Sequence, residues 1–150
     1  MKSAVISDSA CLISLSKIDH LFLLQKLFAT IYIPQAVEQE VGLDLPWLKI
    51  ASPQNNSLVK ALRLSLGAGE SEVIALALEK SECIALIDDK QARRIASEMG
   101  VEIIGTVGLL LQAKRAGHLD SIGPVMDKLQ EVGFRIGKLL YQRALQLAGE

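Results

Sequence analysis

Short apolar runs alternate with amphipathic stretches along the whole chain. Ala4-Val-Ile6 is an unbroken apolar run that reads as a strand buried on both faces. It ends at Asp8-Ser9, and a short helical turn follows around Leu12 to Ser16. Asp19 is expected to cap a helix carrying Leu21, Leu24, Leu27 and Phe28. Thr30–Ile33 is β-branched and aromatic, a second strand. Pro34 suits the first turn of a helix with Val37 and Val41 facing inward, stopped by Gly42. Trp47–Ala51 alternates weakly, as a short edge strand would. Gln54–Ser57 is a loop, and a helix is expected from about Leu58 to Leu66.

Gly67-Ala-Gly69 interrupts the pattern before a strongly apolar helix, Glu70–Glu79. Cys83–Ile87 is another buried strand, closed by Asp88-Asp89. The next helix places Ala92, Ile95, Ala96 and Met99 on one face and stops at Gly100. Val101–Ile104 is a strand, and Gly105-Thr106 opens a helix that ends at Gly117. Pro124 starts a helix with Val125, Met126, Leu129 and Val132 inward, and a last helix spans about Gly137–Ala148. Strands alternating with helices predict an α/β fold: a parallel sheet with helices on both faces. No linker or repeat divides the 150 residues, so one domain is expected.

Charge and cysteine content narrow the partners. Sixteen basic against 17 acidic residues give a net charge of −1, which argues against a protein held to nucleic acid by bulk charge. Cys11 and Cys83 sit among apolar residues and read as buried thiols of a reducing compartment. Met1-Lys2 leads directly into the first strand, with no signal peptide and no bilayer-length apolar run, so a cytoplasmic location is expected. Two cysteines and the distant His20 and His118 make a poor zinc set.

The candidate chemistry is carboxylate chemistry. Asp8 follows the first strand, Glu40 lies in the helix after the second, Glu70 opens the helix after Gly69, and Asp88 and Asp89 follow the fourth strand. In open α/β sheets the crevice beyond the strand carboxyl ends binds ligands. Clustered acids repel unless a counter-ion holds them. An all-oxygen set favours Mg²⁺ or Mn²⁺, which promotes phosphodiester hydrolysis without a protein nucleophile. Plainer readings stand beside these. Asp8 is also a good helix cap, and Glu70 suits a helix N-terminus. Glu72 lies about 200° around its helix from Glu70 and is read as solvated. One of Asp88 and Asp89 is expected to cap the next helix. Ser9 and Thr106 are candidates to orient carboxylates, or ordinary caps. Lys90, Arg93, Arg94, Lys114 and Arg115 are candidates for phosphate contact, or solvated faces.

Four segments resemble, in order, the motifs of PIN-domain ribonucleases. They are Val-Ile-Ser-Asp8-Ser-Ala-Cys-Leu-Ile, Ile33-Pro-Gln-Ala-Val-Glu-Gln-Glu40-Val, Leu66-Gly-Ala-Gly-Glu70-Ser-Glu-Val and Leu86-Ile-Asp88-Asp89. Gly105-Thr106-Val-Gly-Leu-Leu is similar to a segment of one prokaryotic PIN-like subfamily. The resemblance implies a three-layer α/β/α fold with a five-stranded parallel sheet in order 3-2-1-4-5. It also implies a Mg²⁺- or Mn²⁺-dependent endoribonuclease with Asp8, Glu40, Glu70 and Asp88 as its acids, Asp89 being the other possible ligand of the pair. Such proteins are often VapC-type toxins with a cognate antitoxin, and often homodimers. Departures are Glu70 where Asp is more usual, the doubled acid at Asp88-Asp89 after Ile87, and helices beyond Gly133 outside the common core. A non-catalytic module binding RNA or protein is the alternative. A phospho-acceptor domain would need an acid pair after the first strand and a lysine after the last. A dinucleotide site would need G-x-G-x-x-G after the first strand. Both patterns are missing.

Overall fold

The computed structural model describes residues 3–150; the lead-in through Lys2 lies outside them. Five parallel strands form one sheet: β1 (Ala4–Ser7), β2 (Thr30–Ile33), β3 (Leu48–Ile50), β4 (Cys83–Leu86) and β5 (Ile103–Ile104). Their order is β3-β2-β1-β4-β5. The chain moves outward from β1 through β2 to β3, then crosses back to β4. Neighbours β1 and β4 pair from Ala4↔Cys83 to Ser7↔Leu86. This is the topological switch point, and residues 8 and 88 emerge beside each other there. All four positions of both strands are buried, so both sheet faces are covered.

The helices are α1 (Ser9–Lys17), α2 (Phe22–Leu27), α3 (Gln35–Val41), α4 (Asn56–Leu62), α5 (Ala68–Glu79), α6 (Lys90–Glu98), α7 (Thr106–Arg115), α8 (Gly123–Glu131) and α9 (Lys138–Ala148). Their packing falls into two groups: α1, α3, α4, α5 and α6, and separately α2, α7 and α9. Val5 and Ile6 are fully buried. Burying each such side chain stabilises the fold by about 1.5–3 kcal/mol. That burial fixes the end of β1, and so holds Asp8 where water scarcely reaches it.

Several expected boundaries shift. The turn at Leu12–Ser16 is a full helix starting at Ser9. Asp19 caps nothing: it takes φ 59, a left-handed turn that Asp tolerates, and α2 starts later at Phe22. Helix α4 begins within the expected loop because the Asn55 side chain accepts from Leu58 N, and it ends at Leu62 instead of Leu66. Strand β5 keeps only Ile103 and Ile104, although Ala85 N still bonds Glu102 O at 2.8 Å. Leu21, Trp47 and Leu48 pack against the core, whereas Phe22 is exposed. Among the described residues no helix is long and apolar enough to cross a membrane. Both cysteines are buried.

Candidate active site

Asp8 occupies two roles at once. It is the N-cap of α1, accepting Cys11 N at 3.1 Å through Oδ1. Its Oδ2 accepts the Asp88 backbone N–H at 3.0 Å, across the switch point. Only 4% of Asp8 is exposed. Burial, then the charge of Asp88, push its carboxyl up to about 7, against the lowering effect of the two amides.

Asp88 is held from the other side. Thr106 N donates to its Oδ1 at 2.8 Å and the Thr106 hydroxyl to its Oδ2 at 2.5 Å. Burial raises the Asp88 pKa, against those bonds and the nearby Arg93. Asp89 caps α6, accepting Ala92 N at 2.9 Å; it is exposed and lines the same crevice as Asp88. The adjacent acids thus differ in their bonds: Asp88 is tied to Asp8 and Thr106, while Asp89 caps α6.

Glu40 and Glu70 stand at the rim. Ser9 donates to Glu40 Oε2 at 2.6 Å. A Cβ on Gly69 would lie 2.8 Å from Glu40 Oε1, and one on Gly67 would lie 2.7 Å from Glu70 Oε2. The Gly67-Ala-Gly69 interruption therefore makes room for two carboxylates. Ser9 and Thr106 both orient acids, while Asp8 and Gly105 occupy the cap positions. Glu72 is not simply solvated: it accepts Ala36 N at 3.3 Å at the start of α3.

The basic candidates separate. Arg93 is tied down, its Nη1 donating to Ile87 O at 3.0 Å. Lys114 pairs with Glu150 at 2.9 Å and donates to Ala148 O at 2.6 Å, away from any phosphate role. Lys90 and Arg93 line the crevice that holds Glu70 and Asp88. Arg115 lines a different hollow with Glu102. Arg94 is exposed on α6. Arg135 and Arg143 line the carboxylate crevice and were not singled out in the sequence. They lie far along the chain from Asp8, Glu40, Glu70 and Asp88, so spacing carries no signal of their position.

The donor set tests a cation directly. Among the described residues no group of three or more His, Cys, Asp and Glu is gathered as a ready metal cage. The Asp8–Asp88 pair does fit a hard divalent ion. Mg²⁺ binds through one or two carboxylates and keeps waters or substrate phosphates as its other ligands. Each oxygen of the pair receives one hydrogen bond and retains lone-pair capacity. The buried Cys11 thiol is pushed well up by burial and by both aspartates, so it offers no thiolate.

Together the switch-point topology and the aspartate pair define an α/β domain with an acidic crevice at its strand ends. The DUF3368 family model, a PIN domain, matches residues 4–150. The chain belongs to the PIN-domain family, and its fold is of the nuclease type. No curated protein and no solved structure matches it.

Proposed function

We propose that this protein is an endoribonuclease that hydrolyses RNA phosphodiester bonds with Mg²⁺ or Mn²⁺ held by Asp8 and Asp88. The observation that carries the reading is the Asp88 N–H to Asp8 Oδ2 bond at 3.0 Å, which brings a buried and a half-buried carboxylate to one switch point. Two such like charges raise each other's cost of ionising, and a divalent cation removes that conflict. Bound there, it would lower the pKa of a water and offset charge on the phosphate and leaving oxygen. The chain's own groups prepare this. The Cys11 amide fixes Asp8, and Thr106 fixes both Asp88 oxygens. Glu40 and Glu70 at the rim complete the acidic set and orient waters around the pair. Membership of the PIN-domain family, whose ribonucleases are often toxins and often homodimers, is the ground for reading it further as the toxin of a toxin–antitoxin pair.

A second reading has its own support. The rim acids do not close on the pair, so the protein could bind RNA or a partner without cutting. Calorimetric titration with Mn²⁺ separates the two, beside cleavage of a mixed RNA pool. The expected result is Mn²⁺ binding and Mn²⁺-dependent cleavage in the wild type. Asp8→Asn should lose both, by about a hundredfold or more. A wild type that binds RNA but neither Mn²⁺ nor Mn²⁺ with RNA, and never cleaves, would establish the binding module instead.

A further inference from the structure

The crevice that holds the carboxylates extends well beyond them. Its volume is about 1110 Å³, and its far wall is built by α9 and the turn before it. Leu140, Arg143 and Leu147 recur at positions three and four apart on α9, one face of a helix, and all three line this cleft. Phe134 and Arg135 line it from the preceding turn. Leu140 and Leu147 are each about half exposed, at 50% and 49%.

Charge decides what this wall can take. Arg93 is bonded to a carbonyl and Lys114 to a carboxylate. Arg135 and Arg143 are exposed, and among the described residues neither forms a salt bridge. Two unpaired guanidiniums beside an apolar strip, in one cleft with an acidic end, suit a chain of phosphates bearing flat apolar faces. An unpaired nucleic acid strand has that chemistry. In an A-form duplex the bases are stacked inside and cannot reach such a strip.

We infer that Arg135 and Arg143 are positioning residues that hold backbone phosphates of single-stranded RNA, its bases lying against Phe134, Leu140 and Leu147. The inference deepens the ribonuclease reading and rests on it for the cleavage that follows. It assigns substrate placement to the C-terminal helix, outside the four acidic motifs.

The test compares wild type with Arg135→Ala/Arg143→Ala and with Arg135→Lys/Arg143→Lys. Binding of a short labelled mixed-sequence RNA strand is followed by anisotropy in EDTA, over a series of salt concentrations, with the matching duplex alongside. Cleavage of the strand is measured with Mn²⁺. A melting curve checks that each variant folds. The alanine pair should weaken strand binding about tenfold and raise KM similarly, with kcat within about twofold. The slope of log affinity against log salt should fall by about 1.4, since each single-strand phosphate contact contributes about 0.7. The lysine pair should restore that slope. Unchanged affinity and slope in the folded alanine pair would overturn the inference, as would equal binding of the duplex. A fall in kcat at constant KM would overturn it too, and so would binding of an acidic peptide in place of RNA. Failure of the ribonuclease reading looks different: the strand would bind in an arginine-dependent way, yet Mn²⁺ would promote no cleavage.

Discussion

At the scale of single residues, the crevice depends on side chains that are absent as much as on those present. Gly69 leaves the space that Glu40 Oε1 fills, and Gly105 leaves space for Arg93 Nη1, which a Cβ would meet at 2.7 Å. Gly69→Ala would push on the flexible end of a glutamate, which can swing away, and would gain helix propensity within α5. Its melting temperature should therefore hold or rise slightly. The Ser9–Glu40 bond should break, and Mn²⁺-dependent cleavage should fall about tenfold or more. Melting curves and initial rates on the one variant check both halves, and loss of stability with intact cleavage would refute the steric argument. Asp8 and Asp88 stood out because each follows a strand and Glu70 because it opens a helix, whereas Glu40, near the end of α3, stood out only through the motif resemblance. The glycines beside them were legible only as breaks in a pattern. Their use, making room for carboxylates, depends on contacts between α3 and α5 that spacing does not encode.

At the scale of elements, the loop from β4 to α6 divides its labour between neighbouring acids. Asp89 is the cap, so Asp89→Ala should destabilise the protein by about 0.5–2 kcal/mol in denaturant unfolding. It should leave Mn²⁺ affinity close to wild type, whereas Asp88→Asn should abolish it; parallel calorimetry on both variants distinguishes them. The sequence left this pair open because either acid can cap a helix, and only tertiary bonds from Thr106 choose between them. Asp19 misled for a related reason. Asp favours both caps and left-handed turns, and the chain uses it here in the second way, at φ 59. The parallel order, by contrast, was legible from alternation and motif order, since apolar runs such as Cys83–Leu86 suit only a strand covered on both faces.

At the scale of the whole molecule, the buried Asp8 links stability to pH. The Asp8 carboxyl is raised to about 7 in the folded chain, against about 3.9 unfolded. Between those values the folded state keeps a proton that the unfolded state releases. Stability contributed by that proton is present at low pH and is lost as pH rises toward 7, by about 1.4 kcal/mol per unit crossed. Melting temperature without metal should thus decline across this window, and Asp8→Asn should flatten the decline. Saturating Mn²⁺, which favours the ionised pair, should raise the melting temperature more at pH 7.5 than at pH 5. Melting series with and without Mn²⁺ check both signs. The two arginines of the cleft wall show where reading the chain stopped: they come near the acids only through the docking of α9 against α7.

The bond from Asp88 N to Asp8 also sets an order in time. Asp8 is made 80 residues before the amide that anchors it, which belongs to residue 88, and the groups that anchor residue 88 belong to Thr106. No nascent chain that stops short of Thr106 can hold the pair in place. The proposed ribonuclease activity therefore waits until Thr106 has been made and the sheet has closed on its last strand.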